Sequence, residues 1–96
     1  MINDITAPIP RRAILDFLED VGGEHNDDVL ALQLNALAHR VARREVRVLL
    51  QWLGEQGLVT LEELGPYLVA EITPDGRDVA AGTLRIEGVS RHRTGS

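Results

Sequence analysis

Cysteine is absent from the 96 residues, and all ten basic residues are arginines rather than lysines. Without cysteine the chain can form neither disulfides nor thiolate metal sites. Aromatic residues are scarce, with one each of Phe, Trp and Tyr, so the core must be built from aliphatic side chains. No apolar run approaches the ~18 residues that span a bilayer, and the first residues lack the charged-then-apolar pattern of a secretion signal. These absences predict a small cytoplasmic protein that does not enter the membrane.

The length of the chain is that of one domain with a single modest core. Apolar residues make up 44% of the sequence and charged residues 26%, which is ordinary for a globular protein. Neither an internal repeat nor a linker divides the sequence. We therefore expect one domain over residues 1–96, with flexible ends at 1–8 and 90–96.

Charge is distributed unevenly along the chain. The net charge is −5 at pH 7, which by itself disfavours binding to nucleic acid. Residues 39–53, however, hold four arginines and one glutamate, whereas 1–38 and 54–82 are strongly acidic. Positive charge gathered in one segment can steer a polyanion even when the whole chain is negative.

Apolar spacing and capping signals predict the first helix. Pro8 and Pro10 mark its start, because proline is tolerated in the first turn of a helix. An apolar stripe continues through residues 11–21, and Gly22-Gly23 ends the helix. Its acidic residues, among them Asp16, are expected on the outer face.

The second helix is predicted to begin after Asn26, which can cap it. Asp27 and Asp28 fall in its first turn, where the helix dipole favours anions. Its apolar residues surround the axis more widely than one buried stripe requires. They are Val29, Leu30, Leu32, Leu34 and Leu37. Either this helix is sandwiched between its neighbours, or one side of it contacts a second subunit.

A short break at 38–40 precedes a third helix, predicted for about 42–56. On a helical wheel its apolar residues form a core stripe, and a second arc of similar width is polar. The polar arc consists of Arg43, Arg44, Arg47 and Gln51, and Arg40 in the preceding turn points the same way. A helix with leucines on its buried side and arginines on its outward side is suited to dock in the major groove of DNA. The alternative is an arginine face that is merely solvated.

The third quarter of the chain predicts a β-hairpin followed by a short helix. The hairpin segments are Leu58–Leu64, the turn Gly65-Pro66, and Tyr67–Ile72. A fourth helix is expected at Pro74–Ala81, followed by an extended tail. Glu62 and Glu63 make the hairpin acidic, although phosphate contacts require positive charge.

The third helix and its exit resemble those of the MarR, ArsR and PadR families of winged helix-turn-helix regulators. The matching elements are Arg43-Arg44-Glu45-Val46, Leu49 to Leu53, Glu55-Gln56-Gly57-Leu58-Val59, and Ile72 to Ala80. The resemblance covers residues 9–82 and implies an α+β fold with three helices, a two-stranded β-hairpin wing, a short fourth helix and an extended C-terminal tail. A narrower resemblance, to small ArsR-like proteins of Mu-type prophages, involves Gly76 to Gly82 and Glu87 to Arg91 and implies a phage origin.

Together these features predict a phage-encoded transcriptional regulator that binds double-stranded DNA as a homodimer. The residues expected to contact DNA are Arg40, Arg43, Arg44, Arg47 and Gln51. The alternative is a protein–protein interaction module without sequence-specific DNA binding. The acidic hairpin and the off-core Trp52 favour that alternative.

No enzymatic activity, cofactor or metal is expected. The sequence has neither a glycine-rich phosphate loop nor a nucleophile paired with a base. The three histidines, His25, His39 and His92, lack the spacing of metal ligands.

Overall fold

A computed structural model describes residues 6–92, so the parts of the predicted flexible ends at 1–5 and 93–96 lie outside the described residues. The elements in order are α1 (Pro8–Val21), β1 (His25–Asn26), α2 (Asp27–Ala36), α3 (Arg43–Glu55), β2 (Val59–Leu64), β3 (Tyr67–Ile72) and α4 (Pro74–Ala81). Residues 6–92 thus have an α+β architecture of four helices and one antiparallel sheet. In this range no helix is long and apolar enough to cross a membrane.

The sheet has three strands rather than the two predicted, because a short strand joins the predicted hairpin. β2 pairs with β3 as predicted, with Val59 opposite Ile72. β1 pairs with the other edge of β3, with His25 opposite Ala70, and the strand order is β1-β3-β2. A strand of two residues between two helices is too short to show an alternating pattern, which is why the sequence did not reveal it.

Helix ends follow the predicted capping signals. Asn26 Oδ1 accepts a hydrogen bond from Val29 N at 2.8 Å, and Thr73 Oγ1 accepts one from Gly76 N at 3.0 Å. Both side chains therefore satisfy a free N–H of the helix that follows them. α4 ends at Gly82, whose φ of 85° lies in the left-handed region that glycine adopts without strain.

One aliphatic core lies between the helices and the sheet. Its largest fully buried members are Ile14, Leu15, Leu18, Leu30, Leu34, Val46, Leu49, Leu50, Leu53 and Leu58. α3 contributes the stripe that the helical wheel predicts. Because that stripe faces α1, α2 and the hairpin, the opposite side of α3 remains exposed.

Asp16 is buried, so its predicted place on the acidic outer face was wrong. Its Oδ1 accepts a hydrogen bond from Arg12 Nε at 2.9 Å, and both side chains are about 8% exposed. The i,i+4 spacing of the pair is typical of exposed helical ion pairs. Arg12 also donates to the carbonyl oxygens of Ala80, Ser90 and Arg91, so distant parts of the chain meet the pair, which local spacing does not reveal.

The segment after α4, residues 82–92, forms neither helix nor strand, but it is attached to α1. Ser90 N donates to the carbonyl oxygen of Pro8 at 3.0 Å. Arg12 Nη1 donates to the carbonyl oxygens of Ser90 and Arg91, both at 3.2 Å. Ser90 and Arg91 belong to the C-terminal region that was predicted to be flexible, and both are hydrogen-bonded to α1.

Candidate nucleic-acid interface

The candidate interface is the outer side of α3 with the turn that precedes it. At the start of α3, Ala42 N donates to Glu45 Oε1 at 3.0 Å, and Glu45 N donates to Ala42 O at the same distance. This reciprocal arrangement occupies main-chain groups that a helix start otherwise leaves unpaired. At the other end, Gly57 adopts a φ of 75°. α3 is therefore a well-terminated helix, positioned through its buried stripe.

Two of the predicted DNA-contacting arginines bind an acidic side chain of the protein itself. Arg43 Nε and Arg47 Nη1 each lie 3.0 Å from Asp27 Oδ2. The Asp27 side chain is fully buried, whereas the side chains of Arg43 and Arg47 are 37% and 30% exposed. These two arginines therefore connect α3 to the start of α2.

Asp27 also connects these helices to the sheet, because its Oδ1 accepts a hydrogen bond from Leu68 N at 3.2 Å. Burial by itself raises the pKa of Asp27. The hydrogen bonds from Arg43, Arg47 and Leu68 N outweigh that effect, so the pKa lies below its usual value. Asp27 is thus an ionised carboxylate that holds α2, α3 and β3 together.

The same two arginines contact the hairpin. The Arg43 guanidinium lies over the ring of Tyr67, 4.9 Å from its centroid, and donates a hydrogen bond to the carbonyl oxygen of Pro66. Arg47 Nη2 lies 3.4 Å from Glu63 Oε1. The acidic hairpin therefore offsets part of the positive charge of α3.

Arg44 and Gln51 differ from this pair, since both are exposed. With Val48, which is 64% exposed, they follow one another along the outward side of α3 at helical spacing. Within residues 6–92 neither Arg44 nor Gln51 makes a side-chain hydrogen bond or an ion pair. This outward stripe (Arg44, Val48 and Gln51) offers a guanidinium, two methyl groups and an amide to a ligand.

The turn between α2 and α3 places Arg40 beside this helix. Ala38 and Arg40 both adopt left-handed φ angles, of 67° and 42°. The Asn35 side chain donates to the carbonyl oxygens of Ala31 and Val41, at 2.7 and 2.8 Å, and so fixes the turn to α2. The exposed Arg40 side chain is thereby presented at the start of α3.

Trp52 packs within the protein, against Arg11 of α1. The Arg11 guanidinium lies over its ring at 3.8 Å from the centroid, and Arg11 Nη1 donates to Gly88 O at 3.0 Å. A side chain at Gly88 would collide with the Trp52 ring. Trp52 therefore holds the C-terminal segment against α1 and α3.

The three histidines have different surroundings. His25 Nε2 lies 2.7 Å from Gly22 O, and the His25 ring packs edge-on against Phe17. Burial lowers the pKa of His39, whereas His92 is exposed. Among the described residues, no group of three or more His, Asp and Glu side chains could hold a metal ion.

Two residues with central roles, Arg12 and Asp27, were not recognised from the sequence. Asp27 looks like any acid in the first turn of a helix, and Arg12 looks like a surface arginine of α1. Their roles come from partners far along the chain, such as Leu68 for Asp27 and Ala80 for Arg12. Only the adjacent pair Asp27-Asp28 before an arginine-rich helix could have suggested charge pairing.

No protein-family model matches this chain. The chain is similar to the protein described as uncharacterized protein gp26 of Escherichia phage Mu, with 44% identity over 93 residues, 97% of either chain. It is also similar to an uncharacterized protein of Haemophilus influenzae, with 39% identity over 64 residues, 66% of this chain and 63% of that protein. The similarity to the phage protein extends over nearly the whole chain, including α3.

Proposed function

The chain belongs to the family of gp26 of Escherichia phage Mu, and we propose that it is a winged helix-turn-helix protein of phage origin that binds double-stranded DNA as a homodimer. α3 would enter the major groove, and the hairpin of β2 and β3 would be the wing. In this role the protein would regulate transcription.

The order of the elements supports this proposal. α2 and α3 are joined by the short segment 37–42, and the hairpin follows α3 directly. In a helix-turn-helix the second helix presents its outer side to base edges while its other side is buried. α3 has this division, with buried leucines on one side and the outward stripe on the other.

The outward stripe is the observation that carries the proposal. Arginine can donate two hydrogen bonds to guanine, and glutamine can pair with adenine through both atoms of its amide. Arg44 and Gln51 are exposed and have no side-chain partner among the described residues, so both are free for such contacts. Val48 would lie against a thymine methyl group.

Arg43 and Arg47 have a different role in this proposal. Their contacts with Asp27 fix α3 relative to α2 and the sheet. Because their side chains remain about one third exposed, they also contribute positive charge near the groove. Base contacts are thereby assigned to Arg44 and Gln51 rather than to all of the arginines.

A DNA probe is obtained by selecting, from a pool of randomised duplexes, those that the protein binds. Fluorescence anisotropy then measures the affinity of the protein for this probe. We expect Arg44→Ala to weaken binding about tenfold, the equivalent of one good base contact. Raising the salt concentration should also weaken binding, because phosphate contacts release counterions. Arg85→Ala removes the same charge from an exposed residue outside α3, and we expect less than about a twofold effect. The proposal is contradicted by equal effects of the two substitutions, or by no binding at low salt.

A second candidate function is a protein–protein interaction module that binds no specific DNA sequence. It is favoured by Glu62 and Glu63, which are exposed on the hairpin where a DNA-binding wing would be basic. Substituting Glu62→Lys separates the two functions. When DNA is the ligand, the substitution relieves repulsion and strengthens binding. When the ligand is a basic protein surface, it weakens binding.

A further inference from the structure

α2 carries an apolar stripe that no part of residues 6–92 covers. Three of the eight large apolar side chains exposed in this range belong to α2 and its cap, namely Val29 (37% exposed), Leu32 (68%) and Leu37 (50%). The side of α2 that packs on the core holds Leu30, Ala31 and Leu34 instead. The width of the apolar pattern in this helix is therefore explained by two separate apolar sides.

The exposed side is continuous along the helix. Val29, Leu32 and Ala36 follow at spacings of three and four residues, which places them next to one another on one side. Single exposed apolar residues are common on protein surfaces, but contiguous ones mark sites of interaction. α2 thus has an outer surface suited to another apolar surface.

The charges at the two ends of this stripe are complementary. Asp28 is exposed at the N-terminal end, and Arg40 is exposed after the C-terminal end. Leu32 lies midway between Asp28 and Ala36, about 6 Å from each along the helix axis. In an antiparallel pair of α2 helices centred on Leu32, Asp28 of one copy would lie beside Ala36 of the other, within reach of its Arg40 side chain.

We infer that two copies of this chain associate through α2, packed antiparallel around Leu32, with Asp28 of each copy paired with Arg40 of the other. Such an interface is related by a two-fold axis, so the same surface serves both subunits. The inference specifies the interface of the homodimer in the proposed function, but it is tested without DNA.

The expected dimer is weak. A helix of ten residues spans about 15 Å, so it cannot bury the ~800 Å² per partner that is typical of stable complexes. Ile9 of α1, which is 49% exposed, lines a small cavity with Ala38 and Arg40 and adds apolar surface at that end. We expect a dissociation constant on the order of 10 µM, with further stabilisation when both subunits bind one DNA duplex.

Sedimentation equilibrium from about tenfold below to about tenfold above that concentration tests the inference. The unmodified protein should shift from monomer to dimer across this range, and Leu32→Glu should stay monomeric. Val21→Glu places the same charge on a similarly exposed apolar position of α1 and should leave the shift unchanged. Because Leu32 and Val21 are both exposed, neither substitution disturbs the core.

A charge exchange tests the predicted pairing. Asp28→Arg and Arg40→Asp should each weaken the dimer at least threefold, and the double variant should restore the original dissociation constant. A purely structural role of either residue gives no such restoration. The inference is overturned by a protein that is monomeric throughout, by a Leu32→Glu variant that still dimerises, or by a double variant that is not restored. A monomer that binds DNA overturns this inference and the homodimer of the proposed function, but leaves its DNA binding standing. A dimer that binds no DNA overturns the DNA binding alone.

Discussion

At the scale of single residues, Gly54 and Gly76 show how differently two helical glycines are constrained. A Cβ atom at Gly76 would collide with the main-chain oxygen of Leu58. That oxygen also accepts a hydrogen bond from Thr73 N at 3.1 Å, so it cannot move away without loss. The tight contact of a Cβ atom at Gly54 would be with the end of the Leu61 side chain, at 3.0 Å, whereas the main-chain oxygen of Val59 lies 3.9 Å away. Gly76 is therefore required by packing, whereas Gly54 has a neighbour that can rotate.

We expect Gly76→Ala to lower the free energy of unfolding by about 2 to 3 kcal/mol, since the added methyl group displaces main-chain atoms. Gly54→Ala should change it by less than about 1 kcal/mol, because the gain in helix propensity offsets the adjustment of Leu61. Urea denaturation of the two variants measures the difference. Equal losses would show that α4 can move away from Leu58 as readily as Leu61 can rotate.

At the scale of secondary-structure elements, Asp27 is the main polar link. One carboxylate receives hydrogen bonds from Arg43 and Arg47 of α3 and from Leu68 N of β3. It lies at the first position of α2. Arg43 and Arg47 also contact the hairpin, so the Asp27 carboxylate and these contacts together orient α3 relative to the hairpin.

Asp27→Ala should lower the free energy of unfolding by roughly 2 kcal/mol or more, since it leaves the buried Leu68 N–H without an acceptor and removes the buried partner of two guanidinium groups. Asp28→Ala removes the neighbouring acid of the same first helical turn, and it should change stability by less than about 0.5 kcal/mol. Chemical denaturation compares the two, at protein concentrations below the dissociation constant proposed for the dimer. Similar losses would mean that the helix dipole, rather than the link, accounts for the effect.

The lowered pKa of Asp27 also fixes how its contribution depends on pH. A folded-state pKa below the unfolded value of 3.8 means that its stabilisation is complete above that value. The stabilisation is lost as the pH falls through the lower pKa of the folded state. The difference in stability between the unmodified protein and Asp27→Ala should therefore decrease in acid below about pH 4.

At the scale of the whole molecule, Arg12 joins the two ends of the described chain. It donates to the carbonyl oxygens of Ser90 and Arg91 and to that of Ala80, besides its ion pair with Asp16. The segment after α4 is thereby hydrogen-bonded to α1. Trp52 lies under the same segment at Gly88, so the fluorescence of the sole tryptophan reports on its attachment.

Arg12→Ala should destabilise the protein by about 3 kcal/mol, because it leaves the buried Asp16 without its partner. We also expect faster hydrogen exchange in residues 84–91 and a shift of the Trp52 emission to longer wavelength as the ring becomes hydrated. Arg77→Ala is the matched control, since the Arg77–Glu19 pair is exposed and should contribute less than about 0.5 kcal/mol. If hydrogen exchange in residues 84–91 is unchanged in Arg12→Ala, Arg12 does not hold the segment.

The helices and strands that depend on interactions between residues close in sequence could be predicted from the sequence. Helical periodicity, the caps Asn26 and Thr73, and the glycine at 82 act within a few residues, so the helices and both strands of the hairpin are predicted close to their observed limits. The exposure of Arg44 and Gln51 is likewise determined by spacing within α3. Features that depend on partners distant in sequence became visible only in the tertiary structure. They are the pairing of β1 with β3, the burial of Asp16, and the ion pairs of Arg43 and Arg47 with Asp27. The charge of a side chain and its position on a helix depend on its own segment. The group that accepts its hydrogen bond comes from a segment far along the chain.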